Sequence, residues 1–124
     1  MNNEFSMKEL FGSFLADGDL ANAFRFNAVE SKMGINFLAI FDFDGVNNMS
    51  ESFANALFGG LAEDHPDDLV ERVRFKNCSP LIRGFIISAL SQGTERGRRL
   101  AGKGTTHGVV ISPQMLHAHQ VDRQ

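Results

Sequence analysis

The sequence lacks tryptophan and tyrosine altogether and has one cysteine, Cys78. A single cysteine cannot form a disulfide within the chain, and it is too few for a cysteine-based metal site. All twelve aromatic residues are phenylalanine. Because phenylalanine carries no polar group, these rings are expected to fill a core and not to stack on sugars or bases.

Long apolar runs are also missing. No stretch approaches the roughly 20 residues needed to cross a membrane. The N-terminus, MNNEFSMKEL, has neither the basic start nor the apolar stretch of a secretion signal. We therefore expect a cytoplasmic protein that makes no membrane contact. Its 124 residues, 43% of them hydrophobic, fit a single globular domain.

The net charge of −3 is unevenly distributed. Residues 1–92 hold 7 Lys/Arg against 13 Asp/Glu, whereas residues 93–124 hold 5 against 2. This asymmetry predicts a domain over residues 1–93 and a basic C-terminal extension over 94–124. The basic segment from Arg96 to Lys103 leaves nucleic-acid association as one alternative. The favoured interpretation is a solvated helix end beside the negative pole of its own dipole.

Helical and strand patterns alternate along the chain, which predicts an α/β fold with a small mixed sheet and helices packed on it. The apolar stretch INFLAIFDF is expected to be a strand in the middle of that sheet, buried on both faces. The clearest helix starts at a Ser79 cap with Pro80 in its first turn, and Gly93 is expected to end it. The other expectations are a helix in MKELFGSFL, a helix over 20–32 that stops at Gly34, a helix after GVNN, a strand in VERVRF, a short strand in HGVVIS and one further N-terminal strand without a placement.

The stretch FDFDGV is similar to the nucleophile motif of haloacid-dehalogenase-type phosphohydrolases. That chemistry would use Asp42 as nucleophile, Asp44 as acid/base and Mg²⁺ on the phosphoryl oxygens. It also needs a later Ser/Thr followed by a Lys and an acidic pair, but no Lys follows Ser112. We therefore expect no catalytic residue, no metal ion and no cofactor, and a small Mg²⁺-dependent phosphohydrolase is kept as the enzymatic alternative.

Histidines and glycines near the C-terminus offer two further motifs. His117 and His119 are spaced like metal ligands on a strand, but a third ligand is needed, so solvent-exposed imidazoles are favoured. The segment GKGTTHG does not fit a phosphate-binding loop, because Lys103 is followed by glycine and not by Ser or Thr.

Serines mark the point where the central strand leads into the next helix. That helix can be capped by Asn48, with Glu51 three residues on, or by Ser50 one turn later. Ser50 and Ser52 are also candidate phosphoacceptors, because a helix start tolerates a dianion that would change a binding face abruptly.

A linked series of motifs runs through the first two-thirds of the chain: Arg25 and Ala28, FDFDGV at 41–46, SFANALF at 52–58, His65-Pro66, Asn77 and the helix through Ile86. Taken in order, these motifs resemble a STAS-like family of unknown function over residues 25 to about 90. Two departures are evident, since Asn27 replaces the Glu of the opening motif and Asn55-Ala56 replaces an acidic pair.

The resemblance implies a STAS-like domain that binds and does not catalyse. The wider STAS group is similar to anti-sigma-factor antagonists, which engage a kinase-like ATPase through the loop and helix after a central strand. There a serine at the helix start is phosphorylated to release the partner; here Glu51 falls at that position, with Ser50 and Ser52 as neighbouring candidates.

We therefore expect a regulatory module of bacterial or phage origin, binding a kinase-like ATPase or another regulatory complex, with homodimerisation left open. The predicted partner-binding residues are Asp44, Asn47, Asn48, Ser50, Glu51, Ser52 and Asn55.

Overall fold

The computed structural model of the protein describes residues 2–32 and 38–100. Within these residues the chain alternates between short strands and helices, with two π-helical segments, Arg25–Val29 and Asn55–Gly59. Two 3-10 turns, Glu30–Lys32 and Leu69–Glu71, complete the helical elements. The strands and α-helices, in order, are β1 (Asn2–Ser6), α1 (Met7–Phe11), β2 (Phe14–Leu15), α2 (Gly18–Phe24), β3 (Leu38–Asp42), β4 (Asn48–Met49), α3 (Glu51–Ala54), α4 (Gly60–Asp64), β5 (Val73–Lys76) and α5 (Pro80–Leu100).

The main sheet has the strand order β1-β3-β5, with β3 at its centre as expected. Every strand pairing among the described residues is parallel, including that of β2 with β4 in a separate two-stranded sheet. Parallel neighbours need crossover connections, which here are helical. The α/β class predicted from the alternating patterns is confirmed.

Phenylalanine rings form the contact between the sheet and its helices. Phe5, Phe41 and Phe75 occupy one register row, with ring centroids 5.6 and 5.8 Å apart. Phe58, from the π-helical segment that follows α3, packs edge-on against Phe41 and Phe75, each with its centroid 5.3 Å away. Most of the rings fill the core, whereas Phe14 and Phe26 are exposed.

The N-terminal region differs from the single helix expected in MKELFGSFL. The structure has β1 ahead of α1, and Gly12 ends α1 with a φ of 93°, a left-handed conformation that glycine adopts readily. The chain then enters β2, which pairs with β4. The unplaced strand is therefore β1, a polar segment whose pairing with β3 decides its structure.

The longest helix, α5, begins as expected, because Ser79 Oγ accepts a hydrogen bond from the N–H of Ile82. The expectation that it ends at Gly93 is wrong, since the helix continues to Leu100. Gly93 and Gly97 are instead contact points: an added Cβ atom would lie 2.2 Å from the carbonyl oxygen of Gly59 and 2.3 Å from that of Glu63. These glycines bring α5 close to the helix that ends in α4.

The expected boundary between residues 93 and 94 falls inside α5. Thr94 and Gly97 are buried, so the first part of the predicted extension packs on the body. Residues 101–124, with the predicted strand HGVVIS, and Gly34 lie outside the described residues, and for residues 101–124 the extension stays a prediction. Among the described helices, none has the length and apolarity that a membrane span requires.

Candidate functional site

Asp42, the first aspartate of FDFDGV, joins the ends of two neighbouring strands. Its Oδ1 accepts a hydrogen bond from the backbone N–H of Asp44 at 3.0 Å and another from Asn77 Nδ2 at 2.8 Å. Asn77 has a φ of 60°, a left-handed conformation that asparagine tolerates better than most residues. The carboxylate of Asp42 therefore fixes the exits of β3 and β5 to each other.

The other polar residues at this edge of the sheet also have structural partners. Lys76 Nζ lies 2.6 Å from Glu4 Oε2, and this hydrogen-bonded partner raises the pKa of the lysine. Ser6, at the end of β1, caps α1 by accepting the N–H of Glu9. Among the described residues, no group of three or more His, Cys, Asp or Glu side chains is arranged to hold a metal ion.

The loop after β3 is tied down along its length. Gly45, with a φ of 86°, makes the turn, and Val46 is buried. The backbone N–H of Asn47 then donates to Ser13 O at 2.8 Å, and that of Ser50 donates to Leu15 O at 2.8 Å. The loop therefore presents its exposed side chains from a fixed backbone.

The two serines have different environments. Ser50 caps α3, because its Oγ accepts the N–H of Phe53 at 3.0 Å, and the same hydroxyl donates to Ala16 O at 2.9 Å. Of the two predicted capping residues, Ser50 is the one that caps the helix. Asn48 does not cap it, and its Oδ1 accepts the N–H of Met49 instead. Ser52 is exposed on the first turn of α3. The cap of α3 therefore depends on Ser50 and not on Ser52.

A groove of about 450 Å³ lies between α5 and the helix that starts with α3. Two of the predicted partner-binding residues, Glu51 and Asn55, form part of its wall. The other predicted residues do not line it, although Asp44, Asn47, Asn48 and Ser52 are exposed beside the helix start. The lining residues are Glu51, Ala54, Asn55, Pro80, Leu81, Gly84, Phe85 and Ser88.

Sequence reasoning missed the α5 wall of this groove. Ile82 and Ile86 face the core, as the helical spacing predicts, and both are fully buried. Phe85, which has the same helical spacing, is partly buried against the core and also lines the groove, and Leu81 is 50% exposed. The signal available in the sequence was Leu81, a large apolar residue that the helical spacing leaves outside the core-facing stripe.

Acidic side chains lie around the start of α3. A Cβ atom at Gly18 would be 2.5 Å from Ser52 Oγ, so the start of α2 lies against the start of α3. Asp17 and Asp19 flank Gly18, Glu51 precedes Ser52, and all three acidic side chains are exposed. None of the ion pairs formed among the described residues includes these three carboxylates.

Arg25 is a buried structural clamp. Its Nε donates to Ala56 O at 2.9 Å, a carbonyl in the second π-helical segment, and its Nη1 lies 2.5 Å from Glu30 and 3.1 Å from Asp64. Burial, followed by the hydrogen bond with Asp64, raises the pKa of Glu30. Arg25 therefore holds the end of the α2 region against α4.

The basic turn at the end of α5 is largely neutralised by acidic partners. Arg96 pairs with Glu63 at 3.1 Å, Arg98 with Asp67 at 3.6 Å and Arg99 with Glu95 at 3.4 Å. Charges already paired in this way contribute less to phosphate binding, which weakens the nucleic-acid alternative. Lys103 and the histidines at 107, 117 and 119 lie outside the described residues.

A family model described as a STAS-like domain of unknown function matches residues 21–83, about half of the chain. The chain belongs to this family. The resemblance inferred from Arg25, FDFDGV and Asn77 is thereby confirmed. Searches of curated proteins and of solved structures found no match.

Within the STAS-like protein, the matched segment runs from α2 to the first turn of α5. It contains the Asp42–Asn77 link, the Ser50 cap and the α3 wall of the groove. Gly84, Phe85 and Ser88 of the opposite wall follow immediately after it.

Proposed function

We propose that this STAS-like protein is a non-enzymatic regulatory module of the cytoplasm. It engages a protein partner through a docking face formed by the loop from Asp44 to Ser52 and the helix from Glu51 to Gly60. The observation that carries the proposal is the groove beside this helix, because two predicted partner-binding residues, Glu51 and Asn55, lie in its wall.

The fixed loop supports this docking face. A loop held at Ser13 and Leu15 loses little conformational freedom when a partner binds, so less binding free energy is spent on ordering it. Its side chains at Asp44, Asn47 and Asn48 are exposed, as a recognition surface requires. These residues would provide polar contacts around an apolar groove.

Control of the docking face by phosphorylation is proposed for Ser52 and not for Ser50. Phosphorylating Ser50 would remove the hydroxyl donor that bonds Ala16 O and would crowd the α3 cap, whereas Ser52 is exposed and takes no part in the cap. A phosphate on Ser52 would add negative charge next to Glu51 and would alter the charge of the face strongly. The proposed partner is a kinase-like ATPase or another regulatory complex. A second copy of this chain, forming a homodimer, is the remaining alternative.

The test compares two variants in a pull-down from the native host. Ser52→Asp adds a charge at a helix start, where the dipole tolerates it, so circular dichroism should show a folded protein. Ser52 lies against Gly18 and does not line the groove, so an Asp there adds its charge outside the groove. If the partner covers Ser52, its binding should weaken by roughly 1–3 kcal/mol, because the new charge is desolvated with no basic residue beside it. The control Lys103→Ala should retain the partner. A partner that is lost from Lys103→Ala but kept by Ser52→Asp would contradict the proposal.

A further inference from the structure

We infer that the groove between α3 and α5 binds a cationic amphipathic helix of the protein partner. Its apolar side chains would lie between the two walls, and a Lys or Arg would lie beside Glu51. This inference rests on the proposed function and specifies the chemistry of the partner.

The apolar walls carry the first step of the argument. Leu81 is 50% exposed beside the buried stripe of Ile82 and Ile86, and Phe85 packs partly on the core while it also lines the groove. Ala54 and Pro80 extend the same surface on either side. The apolar surface that the core leaves uncovered at Leu81 and Phe85 gains free energy when a partner covers it.

The shape of the groove favours a helix as occupant. Its two walls are themselves helical, and an amphipathic helix laid between two others is a recurrent recognition mode. Gly84 lies between Leu81 and Phe85 on the α5 wall and opens the groove, because a Cβ atom there would meet nothing within 4 Å. The volume of about 450 Å³ suits side chains larger than alanine.

Charge selects a basic occupant. Glu51 is the single charged residue in the lining, it is exposed, and it has no ion pair among the described residues. A Lys or Arg on the partner is attracted by this unpaired carboxylate, and an acidic helix is repelled.

The probes are two labelled synthetic peptides of about 16 residues, or four to five helical turns. Both carry leucines at i, i+3, i+4 and i+7; one has lysines on its polar face, and the other has glutamates in their place. Fluorescence anisotropy measures their binding to the full chain. The lysine peptide should bind at least about 10-fold more tightly than the glutamate peptide, and its affinity should fall as salt is added.

Three variants locate the binding. Gly84→Gln places a neutral side chain in the groove, and the variant should fold because an added Cβ atom there meets nothing within 4 Å. Its affinity for the lysine peptide should fall about 10-fold or more, because hot-spot contacts are lost. Glu51→Gln should weaken it several-fold by removing the charge. Glu71→Gln removes an equally exposed carboxylate outside the groove and should change nothing. Circular dichroism confirms that each variant is folded.

Several results would overturn the inference. In the peptide assay they are equal affinity for both peptides, no binding to the parent chain, or unchanged affinity of Gly84→Gln and Glu51→Gln for the lysine peptide. A parent chain that forms a dimer, which Gly84→Gln dissociates, would show that a second copy of the chain occupies the groove. A captured partner lost from Ser52→Asp but unaffected by Gly84→Gln and Glu51→Gln would refute the groove and leave the proposed function standing. A partner that responds to the groove variants and not to Ser52→Asp would instead refute the loop as part of the docking face.

Discussion

Replacing Gly93 by alanine would place a methyl group 2.2 Å from the carbonyl oxygen of Gly59. The contacted atom belongs to the backbone of a packed helix, so no flexible side chain can move aside. The two helices would have to separate by the better part of an ångström or more, which would loosen the contacts of Ala89 and Leu90, both buried in the core. Gly84, in the same helix, is the matched control, because an added Cβ atom there meets nothing within 4 Å.

The expected magnitudes have opposite signs at the two positions. Overpacking costs about 1–3 kcal/mol, and a backbone contact belongs at the upper end of that range. The gain in helix propensity from Gly to Ala offsets about 1 kcal/mol of this cost. Gly93→Ala should therefore lower the free energy of unfolding by about 2 kcal/mol. Gly84→Ala should raise it by about 0.5–1 kcal/mol, because only the propensity changes.

Urea denaturation followed by circular dichroism at 222 nm measures both changes. The slope of the unfolding free energy against urea concentration should be the same in the parent and both variants. The change in the urea concentration at the unfolding midpoint then reports the change in stability alone. A Gly93→Ala variant as stable as the parent, or one that shifts in the same direction as Gly84→Ala, would refute the close approach of α5 to Gly59.

Three further predictions concern ionisable side chains. Because burial raises the pKa of Glu30 above its usual 4.5, its contribution to stability is complete below that value and is lost as the pH rises through the raised pKa. The melting temperature of Glu30→Gln should therefore gain on that of the parent as the pH rises above about 4.5, and a variant that falls further below the parent over this rise would contradict the prediction. Burial raises the pKa of Cys78 to about 12, so a thiol reagent at neutral pH should react slowly until the protein is unfolded; rapid reaction of the native protein would contradict the burial. Since Asp42 is bonded to Asn77 and to the loop backbone, an aryl phosphate with Mg²⁺ should show no turnover that depends on it, and turnover abolished by Asp42→Asn would restore the phosphohydrolase alternative.

Local signals predicted the elements that local interactions decide. The Ser79 cap and Pro80 identified the start of α5, and a continuous apolar run identified β3. The strand β1 could not be placed, because its residues are mostly polar and its structure comes from pairing with β3. Gly93 was misread because a glycine in a helix has two meanings, a stop or a close approach, and only the neighbouring helix decides between them.

The candidate site was predictable only in part for a similar reason. The loop and helix start follow from chain order, which places Glu51 and Asn55 after the central strand. The opposite wall of the groove comes from α5, about 30 residues later, and no local pattern joins Leu81 or Phe85 to Glu51.

Hydrogen exchange on the protein bound to its captured partner tests the central claim most directly. The account predicts slower amide exchange over residues 44–55 in the loop and helix start and over residues 81–88 in the α5 wall. Exchange at Glu71 and its neighbours should not change. Slower exchange confined to residues 94–124, with the loop and the groove unaffected, would show that the partner binds elsewhere and would contradict the account.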